Sequence, residues 1–217
     1  MEYQIREKIA EQIRIFRLPR YEEIPNVGLY LEQTAAYINE YLVPTRAGMV
    51  TGSMISNYVK KKLISNPIRK QYNREQIAGL IFISVTKSVL SLDNISTLLN
   101  IRRENYRSDE AYNYFCEEME NVIQYVFGLK EQAQQIPAPP AAEVKTGEKE
   151  SQGGKAGNDR EVKAVRGAKD VREAQNGKTE YETPGKREEL DMLRNTIIAV
   201  AHKIYLDQWI EQYAAGQ

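Results

Sequence analysis

Three apolar stripes of helical spacing within residues 51–99 constrain the fold of this chain more than any other feature. In each stripe the apolar side chains recur three or four positions apart, as they do along the buried face of an amphipathic helix. Asn66-Pro67 separates the first stripe from the second. Thr51 and Ser91 precede the first and third stripes as helix N-caps, and Asn73 with Gln76 resembles a capping box before the second. The pattern therefore predicts a helix, a short hairpin or loop, and two further helices. The stripes are Ile55, Val59 and Leu63; Ile77, Leu80, Ile81 and Val85; and Ile95, Leu98 and Leu99.

Positive charge is concentrated on the same stretch. The whole chain balances 30 basic against 30 acidic residues, yet Glu75 is the one acidic residue within positions 51–90. A local basic surface on a neutral protein is typical of a site that contacts phosphates. The alternative interpretation is that consecutive lysines merely solvate a helix C-terminus, where cations complement the helix dipole. The cations in this stretch are Lys60, Lys61, Lys62, Arg69, Lys70, Arg74 and Lys87.

Two further helices are predicted upstream. Residues 3–16 carry apolar side chains at helical spacing, and Leu18-Pro19 ends that segment, which we interpret as a docking helix. Leu31, Ala35, Ile38 and Leu42 form the stripe of a second helix. The order predicted within residues 51–99, a helix, a short basic hairpin or loop and two further helices, is that of a winged helix-turn-helix.

Two narrow apolar seams lie in the C-terminal half. Residues 112–129 and 190–204 each repeat apolar side chains in a three-four pattern, which is typical of helices that pair with another helix. Between them, from about residue 132 to 181, the sequence is rich in Pro, Gly, Glu and Lys, and this composition predicts a disordered linker. Such a linker is long enough for the terminal helix to pair within its own chain or with a neighbouring chain.

Composition and motifs exclude several classes of protein. The mean hydropathy of -0.58 and 28 % charged residues predict that part of the chain does not fold. We find no signal peptide and no membrane-spanning run of apolar residues, so we expect a cytoplasmic protein. Cys116 and His202 are the only residues of their types, which excludes an intramolecular disulfide and a Cys/His zinc site. There is no Gly-rich phosphate loop and no identifiable nucleophile-base pair, so we predict a non-enzymatic binding protein without a cofactor.

The run Tyr58-Val-Lys-Lys-Lys-Leu63-Ile64, the later Lys70-Gln-Tyr72 and the helix pair from Ile77 to Leu99 resemble the DNA-binding domain of MerR-type transcriptional regulators. In that family the corresponding runs are Tyr-Glu-x-x-Gly-Leu-Leu and Arg-x-Tyr. The sequence around Leu18-Pro19-Arg20-Tyr21 and at residues 53–60 resembles an uncharacterised bacterial family of unknown function, built on this fold, more closely than it resembles the MerR-type regulators. Ser56-Asn57 stand where MerR recognition helices carry Arg-Tyr.

The predicted fold is all-α, a MerR-like winged helix-turn-helix followed by a long C-terminal helix pair that a disordered linker separates. The expected organisation is a docking helix at 1–17, the DNA-binding domain at 18–107, an oligomerisation or effector helix at 108–131, the linker at 132–182 and a terminal helix at 183–213 that pairs with 108–131.

The expected function is that of a sequence-specific transcriptional regulator that binds double-stranded DNA. A helix fits the major groove, where Asn57 could contact adenine, while cations on the helix and the wing contact phosphates. Tyr58 is carried over from the family pattern. The predicted DNA-binding residues are Ser53, Ser56, Asn57, Tyr58, Lys60, Lys61, Arg69, Lys70 and Tyr72.

The resemblance also implies a homodimer formed by the long helix, and it leaves room for a small-molecule effector of unknown identity. The predicted oligomerisation residues are Tyr112, Phe115, Met119, Val122 and Val126. The competing interpretation is an adaptor that keeps the fold but binds a protein partner. RNA binding is a weaker third candidate, because the sequence predicts no aromatic-rich sheet.

Overall fold

The computed structural model describes residues 2–45, 48–140 and 184–215. Within these ranges the fold is mostly helical, with one two-stranded sheet and two short 3-10 turns at Tyr21–Glu23 and Val43–Thr45. The helices are α1 Glu2–Ile13, α2 Leu31–Leu42, α3 Gly52–Lys60, α4 Arg74–Thr86, α5 Leu92–Asn105, α6 Ser108–Val126 and α7 Pro184–Ala215. The strands are β1 Leu29–Tyr30 and β2 Gln71–Tyr72, which pair antiparallel.

Local capping sets where the central helices begin. Thr51 accepts a hydrogen bond from the Met54 amide at the start of α3, and Ser91 does the same for the first turn of α5. At α4, Asn73 and Gln76 form a reciprocal capping box. Each of these caps satisfies a backbone donor that the helix itself leaves unpaired. The helix starts predicted from Thr51, Asn73 and Ser91 are therefore confirmed.

Helices α2 and α3 are held together by a short, specific set of contacts. The Asn39 side chain of α2 donates to the Val50 carbonyl at 2.9 Å and accepts from the Val50 amide at 2.7 Å, which fixes the chain just before α3. A Cβ atom placed on Gly52 would lie 2.6 Å from Glu32 Oε1 and 3.1 Å from Leu31 Cδ2, so a larger residue would require these side chains to move. These contacts determine the angle at which α3 leaves the turn.

Helix α6 lies in the centre of the molecule. The Phe115 ring makes an edge contact with Phe82 of α4 at 5.0 Å between centroids. On another side α6 packs against α7, whose Ile197, Val200 and Ile204 are buried. A further tie is the ion pair between Arg194 Nε and the buried Glu118 Oε1 at 3.0 Å, where burial raises the pKa of the Glu118 carboxyl.

The residues predicted for oligomerisation are consequently packed inside one chain. Tyr112, Phe115, Met119 and Val122 are each no more than 2 % exposed, and Val126 is half-buried against the same core. Their apolar surface is already covered by α4 and α7 of the same molecule. In the structure these side chains form part of the core of one chain, and their role in oligomerisation stays a prediction.

The N-terminal segment packs onto the same core. Ile9 and Ile13 of α1 are buried, and the Arg6 guanidinium lies 5.8 Å from the centre of the Trp209 ring of α7. Beyond α1, Arg20 forms a bidentate ion pair with Glu120 of α6, with N–O distances of 2.7 and 2.8 Å. The segment before α2 is therefore tied to α6 and α7.

The predicted linker falls largely outside the described residues, because positions 141–183 are not described. Residues 133–140 are described and have no regular secondary structure, although Gln134 exchanges two backbone hydrogen bonds with the Asn121 side chain of α6. Among the helices that the structure describes, none combines the length and the apolar content that a membrane span needs.

Candidate nucleic-acid interface

Helix α3 has one buried and one exposed face, as its apolar spacing predicts. Ile55 and Tyr58 point into the core, whereas Ser53, Ser56, Asn57 and Lys60 are exposed. The Ser53 hydroxyl lies 2.9 Å from the Thr51 hydroxyl at the helix start. The exposed face thus presents short polar side chains first and a cation at its C-terminal end.

Two residues of the predicted DNA-binding set are buried. Tyr58 and Tyr72 are each 4 % exposed, and burial raises the pKa of both phenols. Their rings pack in the core beneath α3 and the sheet, so neither ring is available as a DNA contact. Tyrosines at such positions support the surface above them, because a ring packed against apolar neighbours cannot stack on a base.

The chain leaves α3 through a Schellman motif that has lysine where glycine is usual. The Leu63 amide donates to the Tyr58 carbonyl at 3.0 Å, and the Lys62 amide donates to the Val59 carbonyl at 2.9 Å. This pattern requires a left-handed residue at the C′ position, and Lys62 has a φ of 61°. The MerR-type pattern has glycine at this same place.

The hairpin that follows ends in a tight two-residue turn. The Ile68 amide donates to the Gln71 carbonyl at 3.1 Å, and the Gln71 amide donates to the Ile68 carbonyl at 2.9 Å. The two central residues, Arg69 and Lys70, have φ values of 50° and 64°, as both central residues of a type I′ turn must. Both side chains are exposed at the tip, next to Ile68, which is 72 % exposed.

Lys62, Arg69 and Lys70 are the non-glycine residues with positive φ in the described part of the chain. A left-handed backbone costs an L-residue about 1–2 kcal/mol, and glycine avoids most of that cost. All three strained positions carry a cation, and all three lie within the basic connection. The charge is therefore kept at places where the backbone alone would favour Gly or Asn.

The cations of this surface are not neutralised by the protein. Residues 51–72 contain five cations and no acidic residue, and within the described chain none of the five forms an ion pair. The other two cations within residues 51–90 do not belong to this exposed group. Arg74 donates to the Ile24 carbonyl at 2.8 Å, and Lys87 is half-buried, which lowers its pKa. We call the exposed group Lys60, Lys61, Lys62, Arg69 and Lys70 the basic surface.

Two polar side chains hold the basic surface in place, and the sequence did not single them out for this role. Gln76 Nε2 donates to the Ser65 carbonyl at 2.9 Å and to the Asn66 carbonyl at 3.2 Å, which clamps the hairpin base to α4. Arg103 Nη2 of α5 donates to the Leu63 carbonyl at 2.9 Å. Gln76 was recognisable only as part of a capping box, and Arg103 carried no local signal.

The comparison with protein families matches residues 19–115 to a family described as a domain of unknown function, DUF1836. Residues 19–115 are a DUF1836 domain. The DUF1836 domain includes α2 to α5, the sheet, the basic surface and the first turns of α6, whereas α1 and α7 lie outside it. Neither the curated proteins nor the solved structures contain a match to this chain.

The clamp by Gln76 leads to a first prediction. We expect Gln76→Ala to lower the free energy of unfolding by roughly 1–3 kcal/mol, because two carbonyls at the base of the hairpin lose their donor. Amide hydrogen exchange should become faster at residues 65–71 than in the centre of α4. Chemical denaturation and exchange measurements check both points. Gln33→Ala is the matched control, since Gln33 is an exposed capping glutamine at the start of α2. Equal exchange in the hairpin of both variants would contradict the role of Gln76.

Proposed function

We propose that this protein is a sequence-specific DNA-binding transcriptional regulator of MerR-like type. In this proposal α3 lies in the major groove, with Ser53, Ser56 and Asn57 towards the base edges. Lys60 and Lys61 contact the phosphates beside the groove, and the hairpin tip with Arg69 and Lys70 contacts the backbone of the same duplex.

The observation that carries the proposal is the retention of cations at strained positions. Lys62, Arg69 and Lys70 occupy left-handed backbone conformations on one exposed surface that contains no acidic residue between residues 51 and 72. A solvated helix end explains lysines at a helix C-terminus, but it does not explain why charge is kept at a turn where Asn-Gly is the favoured sequence. Binding to a polyanion explains both.

Further support comes from the resemblance to MerR-type regulators. The family pattern has glycine at the position of Lys62, and that position is left-handed here. The pairing of β1 with β2 brings the hairpin against the strand that precedes α2. Both features are those expected of a wing that flanks a helix-turn-helix.

Fluorescence anisotropy of labelled duplexes across a salt series tests the proposal. We would use random duplexes and duplexes from the protein's own upstream region. Affinity should fall steeply with salt, and reversing Lys60, Lys61 and Arg69 to Glu should reduce the magnitude of the logarithmic salt slope by roughly 3, about 0.9 for each lost phosphate contact. Lys8, Arg14 and Arg107 reversed to Glu provide the matched control, because they change the net charge equally at exposed sites outside the basic surface.

No binding at low salt, or equal loss of affinity in the two triple variants, would contradict DNA binding through this surface. Tighter binding to one duplex than to random sequence is the expected sign of a regulator. The residues predicted for oligomerisation are buried within one chain, so a dimer on a palindromic site could use α6 only if α6 exchanged its packing partners between two chains.

A protein-interaction adaptor is the second candidate function, and one observation favours it. Val43 and Met49, on either side of the α2–α3 turn, are 71 % and 75 % exposed, and Ile68 at the hairpin tip is 72 % exposed. Large apolar side chains on a surface often mark a protein contact. If the anisotropy experiment shows no DNA binding, a pull-down with Met49→Ser and Ile68→Ser as the non-binding controls is the direct test.

A further inference from the structure

A polar cavity of about 250 Å³ lies behind the basic surface. Its walls come from four elements: the end of α3, the base of the hairpin, the first turn of α4 and the end of α5. The polar residues that matter for its chemistry are Lys62, Ser65, Glu75, Gln76, Arg102 and Arg103. A water molecule occupies about 30 Å³ in the liquid, so the cavity has room for a tetrahedral oxyanion and part of its parent molecule.

The charges around this cavity do not balance. Lys62, Arg102 and Arg103 provide three cations, and Glu75 is the one carboxylate among the described residues of the lining. Glu75 Oε1 is already engaged, since it accepts from Ser108 Oγ at 2.7 Å and lies 3.5 Å from Arg102 Nη2. A net positive charge therefore remains at the cavity wall.

Arg102 is the least satisfied of the three cations. Its side chain is only 17 % exposed, and its Nε is buried without a hydrogen-bond partner in the described part of the chain. A largely buried cation with one long ion pair and a buried, unpaired donor is costly unless an anion or another acceptor accepts a hydrogen bond from it.

Arg103 and Lys62 have N–H donors that are available to a ligand. A guanidinium has five N–H donors, and Arg103 uses two groups in bonds to Leu63 and Asn100. Lys62 has three donors on an exposed side chain beside the cavity. Arginine and lysine together are well suited to phosphate, because Arg offers a planar pair of donors and Lys a compact charge.

We propose that this cavity binds a phosphate oxyanion through Lys62, Arg102 and Arg103. The phosphate belongs either to a soluble phosphorylated molecule or to the backbone of a bound duplex. The first source makes the cavity an effector site, because Arg103 and Gln76 also hold the C-terminal end of α3 and the hairpin base. A ligand on these groups would stabilise the geometry of the basic surface.

Isothermal titration calorimetry with inorganic phosphate and with pyrophosphate, at constant ionic strength and without DNA, tests the site. We expect saturable binding to the full chain and at least a tenfold loss of affinity in Lys62→Gly and Arg103→Gln. Lys62→Gly is the decisive variant, because glycine suits the left-handed backbone at this position and the fold should be retained. Lys8→Gln removes the same charge from an exposed residue outside both the cavity lining and the basic surface, and should bind as the parent does.

Absence of saturable binding, or unchanged affinity in Lys62→Gly, would overturn the proposal. Two arms distinguish the sources of phosphate. If pyrophosphate displaces a labelled duplex in proportion to the occupancy of the cavity by pyrophosphate, this result supports the DNA backbone as the natural occupant. If pyrophosphate and the duplex bind at the same time, this result supports a soluble phosphorylated molecule. If phosphate binds and no duplex does, the anion site stands and the proposed function alone fails.

Discussion

Replacing Lys62 by Gly, Arg69 by Asn and Lys70 by Gly in one variant is expected to make the protein more stable and a weaker DNA binder. Each site now holds an L-residue with a φ between 50° and 64°. Glycine or asparagine relieves the strain of about 1–2 kcal/mol per site, and the greater freedom of glycine in the unfolded chain returns part of that gain. We therefore expect the free energy of unfolding to rise by roughly 1.5–3 kcal/mol for the triple variant.

The same variant removes three cations from the basic surface. If the surface binds DNA, the affinity should fall and the logarithmic salt slope should shrink by as much as roughly 3. Opposite changes in stability and binding are the specific result, since a loss of binding caused by unfolding would lower both. Urea denaturation and anisotropy on the same preparations measure the two quantities.

Lys60→Gly is the matched control for this experiment. Lys60 is the last residue of α3 and has no left-handed backbone, so glycine there removes one charge without relieving strain. We expect it to lower stability by up to about 1 kcal/mol. If the triple variant is no more stable than Lys60→Gly, the strain argument for the basic surface is wrong.

Local signals in the sequence were sufficient for the helices and for most of the exposed surface. Thr51, Asn73 and Ser91 start helices because a cap bonds to the backbone within three residues, and no tertiary contact is needed. The outward positions Ser53, Asn57 and Lys60 follow from helical spacing alone. Lys62 also stands where the MerR-type pattern that this run resembles has glycine, but the strain there is visible only in the backbone angles.

Tertiary packing determines which tyrosine rings are buried and which distant residues come into contact, and local sequence signals predicted neither. Tyr58 and Tyr72 were predicted as DNA contacts from the resemblance to the MerR-type pattern. The side of the helix or strand that each one occupies instead places its ring in the core. Arg103 is brought to Leu63 by the packing of α5 against the end of α3, a contact forty positions apart in the chain. The sequence left the partner of α6 open for a similar reason, because the long connection to α7 allows pairing within a chain or between chains.

Phe115→Ala is expected to destabilise the protein more than any other single substitution proposed above. Phe115 is 2 % exposed and packs on Phe82 at 5.0 Å and on Tyr112 at 6.4 Å between ring centroids. Truncating a buried phenylalanine leaves a cavity and costs about 3–5 kcal/mol. Tyr125→Ala, on the same helix but 48 % exposed, should cost less than about 1 kcal/mol and is the control.

The dependence of melting on protein concentration distinguishes pairing of α6 within a chain from pairing between chains. If α6 is covered by α4 and α7 of its own chain, the melting temperatures of the parent and of Phe115→Ala should not change with concentration, because folding within one chain involves no mass action. A seam shared between two chains would instead make the melting temperature of the parent rise with concentration. Concentration-dependent melting that Phe115→Ala abolishes would show that α6 pairs between chains. Melting that is independent of concentration, together with the full loss of stability in Phe115→Ala, would place the seam inside the core of each chain. The basic surface would then belong to a unit that folds without a second chain.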